Sequence, residues 1–174
     1  MGEQAVFRIF IEAPVERVWR EVVRRDEPNA IFFGNCMRIP GPGGDNGALE
    51  QGCRIRMRTK NGKHTIVVGE VTEFDPPRRF AHTFRFTTLD DPACTVVYDL
   101  KPVEGGTEFT LTILDIPVGT KTEKYMRQGG DFITATLKGL AEKGKPPLSK
   151  RLMLAMMSAF AFTTPKRCLS EHWA

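Results

Sequence analysis

The sequence has only three histidines and four cysteines, and no two of those cysteines form a CxxC pair. A zinc ribbon and a thioredoxin-type redox centre both need paired thiols at close spacing, so both are excluded. HExxH, GxSxG and a glycine-rich phosphate loop are also missing, which leaves a zincin, a nucleophile-elbow hydrolase and a P-loop nucleotidase without their motifs. Charge of one sign is not in great excess. The 25 Lys and Arg against 21 Asp and Glu leave a net charge of +4, too little for a nucleic-acid footprint. No apolar run approaches the roughly 20 residues that cross a bilayer. The most apolar stretch, residues 152–162 (LMLAMMSAFAF), has eleven residues and is broken by Ser158. The opening MGEQAVFRIFIEAP has an acid at Glu3 and no apolar signal core, so a cytoplasmic protein with free thiols is expected. No metal, no cofactor and no catalytic residue is assigned.

What is present is the pattern of one globular domain, with 41% hydrophobic and 26% charged residues in 174. Residues 6–12 alternate, Phe7, Ile9 and Ile11 opposing Arg8 and Glu12, as in a half-buried strand. Pro14 then suits a helix start, and Val15, Val18, Trp19, Val22 and Val23 recur at helical spacing. A short second helix is expected over residues 29–34, and after it the flexible loop PGPGGDNG at 40–47. From Gly52 onward strands and turns alternate. Ile55 and Met57 oppose Arg54, Arg56 and Arg58, and Asn61-Gly62 predicts a type I′ hairpin turn. Further strands are expected over 64–74, 80–87 and 94–101. A last one has Phe109, Leu111 and Ile113 on one face. A long helix over 122–143 has Gly129-Gly130 weakening its middle, and another helix comes after it over 149–162.

This order is α+β: a strand, one or two helices, five hairpin-linked strands, then a long helix that covers one face of the sheet. Three stretches resemble the family of Hsp90-ATPase-activator homologues within the START-like superfamily. Residues 13–19 (APVERVW) are similar to its opening A-P-x-E-x-V-W. Residues 69–80 (GEVTEFDPPRRF) resemble its G-x-V-x-E-x-D-P-P-x-R-L segment, and residues 105–111 (GGTEFTL) its G-G-T-x-L-T turn. The resemblance spans residues 4–143. The family's usual Gly-Trp at the start of the long helix is replaced here by Gly130-Asp131-Phe132-Ile133. The resemblance implies a helix-grip fold: a curved six-stranded antiparallel sheet wrapped around a long C-terminal helix. The START-like domain is assigned to residues 1–145, and residues 146–174 form a C-terminal helical extension.

The same resemblance implies an apolar cavity between sheet and long helix that binds a small hydrophobic molecule, lipid-like or a polycyclic polyketide. Other roles hosted by similar folds are a polyketide cyclase-like enzyme, an Hsp90-type co-chaperone and a self-sacrificing antibiotic-resistance protein. Candidate ligand-binding residues are Ile55, Met57, His82, Phe84, Tyr98, Phe109, Leu111, Tyr125 and Phe132. His82 shares its strand phase with Phe80, Phe84 and Phe86 and titrates near neutral pH when unperturbed. It is read either as a ligand contact or as a structural histidine. Tyr98 and Tyr125 have hydroxyls that need partners if buried. Arg54, Arg56, Arg58 and Lys60 are read as a solvated face. The helix over 149–162 is apolar nearly all round, so burial within the molecule or against a second copy is expected, ahead of a membrane surface.

Overall fold

The computed structural model describes residues 2–173. Seven strands form one antiparallel sheet: β1 (Glu3–Ile11), β2 (Cys36–Arg38), β3 (Arg54–Arg58), β4 (Thr65–Asp75), β5 (Arg79–Phe86), β6 (Cys94–Val103) and β7 (Gly106–Ile116). Their order across the sheet is β1-β7-β6-β5-β4-β3-β2. Consecutive strands are therefore neighbours except β1, which closes the far edge beside β7. The seventh strand, β2, is the difference from the sequence reading. It is three residues long and pairs Met37 with Met57, too short to show the alternation that marks a strand.

Three helices accompany the sheet: α1 (Val15–Val23), α2 (Lys121–Lys143) and α3 (Leu148–Ala159). Helix α2 begins in a variant of the capping box in which the carboxylate reaches one residue past the N-cap, Thr120. Thr120 Oγ1 accepts from the Glu123 amide at 3.2 Å, and the Glu123 carboxylate accepts from the Gly119 amide at 2.8 Å. Gly130 does more than weaken α2: a Cβ there would lie 2.2 Å from the Phe7 ring. The missing side chain lets the helix approach β1 closely at its middle. The core lies between this helix, α1 and the inner sheet face, with Phe80, Phe109, Leu111, Ile113 and Leu137 fully buried.

Two local expectations are corrected. The β3–β4 turn is wider than a two-residue type I′ hairpin, because the Thr59 amide donates to His64 O and only Gly62 takes a positive φ, of 71°. Asn61 works through its side chain instead, accepting from the Lys63 amide at 3.0 Å and from Thr59 Oγ1 at 2.8 Å. Arg54 is exposed as expected, but the other two arginines of β3 are not freely solvated. The side chains of Arg56 and Arg58 are only 12% and 18% exposed, and both pair with Asp45 from the glycine-rich loop that folds over them.

The helix expected over 149–162 exists as α3, ending at Ala159 with a short turn at Ala161–Thr163. None of its residues is buried within the chain, which overturns the intramolecular half of the expectation for so apolar a helix. The inner face of the sheet is already covered by α1, α2 and the Ala30–Phe32 turn. The chain beyond α3 is anchored. Cys168 is fully buried, Leu169 bridges to His64, and the Ser170 amide donates to Lys63 O at 2.9 Å. Arg167 pairs with Asp90 at 2.6 Å. The segment after α2 is thus a strap held at both ends.

Candidate functional site: an apolar cavity under the strap

A cavity of about 300 Å³ opens between the inner sheet face, α2 and α3. Its floor is strand alternation made concrete: Met57, Val67, Val96, Tyr98, Leu111 and Ile113 belong to the inward phase of β3, β4, β6 and β7. Its rim is aromatic. Phe84 and Phe86 meet edge to face with centroids 4.8 Å apart, and Phe86 meets Tyr125 of α2 in the same way at 5.8 Å. Asn29 caps the Ala30–Phe32 turn through Oδ1, accepting from the Ile31 amide at 3.1 Å. Phe33 then takes a left-handed φ of 56°, and its side chain reaches the cavity wall. Met153 and Met157 of α3 complete the mouth. Among the described lining residues none is charged, and the polar side chains are those of Asn35, Tyr98, Tyr125 and Gln128.

Five of the nine candidates from the sequence meet at this cavity: Met57, Phe84, Tyr98, Leu111 and Tyr125. The other four do not line it. Ile55 and Phe109 belong to the buried core beyond it. Phe132 stacks on Phe33 with centroids 4.3 Å apart, and Lys150 Nζ lies 5.6 Å from its ring centroid. His82 is fully buried behind Tyr98. Phase alone could have found Val67, Val96, Ile113 and Phe86, because they alternate with residues already placed. Phe33, Met153 and Met157 carry no such signal, since a loop conformation and the docking of the strap bring them in.

The Tyr98–His82 pair is the polar anchor. His82 Nδ1 lies 2.9 Å from Thr83 O, which can only accept, so Nδ1 carries the proton. Nε2 is then the acceptor for the Tyr98 hydroxyl at 3.4 Å. Burial pushes the imidazole down to about 4, against a smaller opposing pull from the Thr83 carbonyl. Burial likewise pushes the Tyr98 phenol above its usual range. At neutral pH both groups are uncharged. Tyr98 therefore lines the cavity as a neutral phenol whose hydroxyl is engaged by His82, not as half of a charged acid–base pair. The described residues contain no cluster of His, Cys, Asp and Glu able to hold a metal ion.

A curved antiparallel sheet gripping a long helix over an apolar cavity defines the helix-grip class. Within it, this chain belongs to the Activator of Hsp90 ATPase homolog 1-like protein family, whose description matches residues 12–142. No curated protein sequence matches the chain. Among solved structures it resembles the Aha1 dimer from Colwellia psychrerythraea, with 19% identity, 82% of this chain and 98% of that one covered, and a TM-score of 0.62. DynU16, a putative protein in the dynemicin biosynthetic locus, shares 20% identity over 84% of this chain and 49% of its own, with a TM-score of 0.63. An HSP90 activator from Plasmodium falciparum shares 18% identity over 80% of this chain and 91% of its own, with a TM-score of 0.56. At these identities the likeness is one of fold.

Proposed function

We propose that this protein binds a small hydrophobic molecule, lipid-like or polycyclic, in the cavity beneath α3. The observation that carries this reading is the cavity of about 300 Å³ with no charged side chain among its described lining residues. It is at the small end of ligand pockets, with a few polar groups to orient an otherwise apolar guest. Tyr98 is the orienting group. Its proton is engaged by His82, so its oxygen accepts a hydrogen bond from the ligand. In this reading residues up to 145 hold the cavity, and the extension from residue 146 adds Met153 and Met157 at the mouth.

The test is native mass spectrometry of the purified full chain and titration with an environment-sensitive apolar dye. Val96 is 2% exposed and lines the floor, so Val96→Phe intrudes into the cavity and should weaken dye binding in a protein that still folds. Unchanged binding would remove the cavity as the site.

A second reading is self-sacrifice to a reactive guest, which needs a backbone glycine against it. Gly129 lines the cavity, and one similar fold, DynU16, comes from the dynemicin biosynthetic locus. Cleavage at Gly129 on exposure to such a compound would support it. Stimulation of an Hsp90-type ATPase has the family description behind it, and a pull-down with the chaperone tests it. A cyclase-like catalyst would have to use Tyr98 or Tyr125, because His82 does not face the cavity.

A further inference from the structure

Helix α3 presents an apolar surface that none of the described residues covers. Leu148, Leu152, Met156 and Phe160 are 61–67% exposed, and their i, i+4 spacing puts them in one row along the outer side of the helix. Phe162, just beyond, is 82% exposed. Met153 and Met157 lie about 100° further round the helix, at the cavity mouth. A contiguous exposed row of this kind marks an interaction surface, unlike scattered single residues. The strap that carries it is anchored at both ends, so the row is displayed on a fixed helix, not on a loose tail.

Charge identifies the partner. From residue 143 to residue 170 there are six basic residues, Lys143, Lys145, Lys150, Arg151, Lys166 and Arg167, and not one Asp or Glu. Among the described residues only Arg167 of these six is in an ion pair, with Asp90. A second copy meeting the row would form an isologous contact, setting each cationic segment against its twin with no acid from either segment. An anionic surface answers the same charge favourably. With 12 residues α3 is about 18 Å long, well short of a bilayer core of roughly 30 Å. No helix among the described residues is long and apolar enough to cross a membrane. The helix is built to lie in an interface, apolar row inward and cations among the headgroups.

We propose that α3 docks this protein on anionic lipid bilayers, with Leu148, Leu152, Met156 and Phe160 entering below the headgroups and the cations of 143–167 meeting lipid phosphates. The docking does not depend on what fills the cavity.

The experiment is flotation of the full chain with vesicles of phosphatidylcholine alone and with vesicles containing phosphatidylglycerol. Binding to the anionic vesicles should exceed binding to neutral ones by roughly tenfold or more, since each basic residue near a negative leaflet adds to it. It should weaken as salt shortens the Debye length from about 10 Å at 0.1 M towards about 3 Å at 1 M. Leu152→Glu with Met156→Glu should abolish it. Both side chains are solvent-facing, at 61% and 63% exposure, so circular dichroism and the melting temperature should not change. Lys145→Glu with Arg151→Glu should remove the preference for anionic vesicles. Failure to float with either vesicle overturns the proposal, as does flotation that the Leu152→Glu/Met156→Glu variant retains. A dimer in light scattering that this same variant dissociates would assign the row to a second copy and also overturn it.

Discussion

Lowering the pH should destabilise this protein through His82, by an amount set by the burial of its imidazole. The side chain is fully buried, and burial lowers its pKa from 6.5 to about 4. Above pH 6.5 the residue is neutral in both folded and unfolded chains, and its full contribution to stability is present. Below that, the unfolded chain takes up a proton that the folded chain refuses, so stability falls with pH until about 4, where the folded state protonates too. At about 1.36 kcal/mol per pH unit, the window between the two values amounts to about 3 kcal/mol. Small proteins lose about 1–3 kcal/mol per molar urea, so the midpoint should drop by on the order of 1 M or more. The assay is urea denaturation at several pH values between 7.5 and 4.5, for the native sequence and for His82→Gln. Gln cannot titrate but can donate to Thr83 O as the imidazole does. The variant should lose stability less steeply through this window, because only the native chain has the imidazole. The exposed carboxylates are common to both proteins and cancel in the comparison. Parallel curves for the two proteins would refute the assignment of His82 as a buried neutral imidazole.

Two further outcomes are expected. Gly69→Ala should cost about 3 kcal/mol or more, or prevent folding, because its Cβ would lie 1.9 Å from the Thr83 carbonyl oxygen, a backbone atom that cannot step aside; urea melts or soluble yield would show it. In thiol titration with Ellman's reagent, Cys53 alone should react promptly in the native protein. Cys36, Cys94 and Cys168 are buried, with the Cys94 thiol pushed up to about 12 by burial, and all four should react after denaturation.

Much of the architecture was legible because it rests on local signals. Alternation in 6–12 and 94–101, the helical spacing of Val15, Val18 and Val22, and the Pro-Pro and Gly-Gly breaks each report a period or a stop that one segment carries by itself. The inward phase of β6 and β7 was therefore readable, and Tyr98 and Leu111 are on the cavity floor. Gly69, at the head of a stretch that resembles a family motif, has a physical reason in the close approach of β4 and β5. Other residues were misplaced where phase is not enough. His82 and Phe109 point inward as their strands require, yet other side chains stand between them and the cavity. An inward direction does not distinguish core from cavity wall.

By itself, then, the amino-acid order determined the element types, their sequence and which strand faces are apolar, because backbone periodicity and turn chemistry act within a few residues. The tertiary structure alone decided three things: that α2 stands off far enough to leave a cavity, that Phe33, Met153 and Met157 reach it, and that α3 stays uncovered. Each depends on how segments distant in the chain share one limited apolar face. Once α1, α2 and the Ala30–Phe32 turn have taken that face, the last apolar helix is left outside.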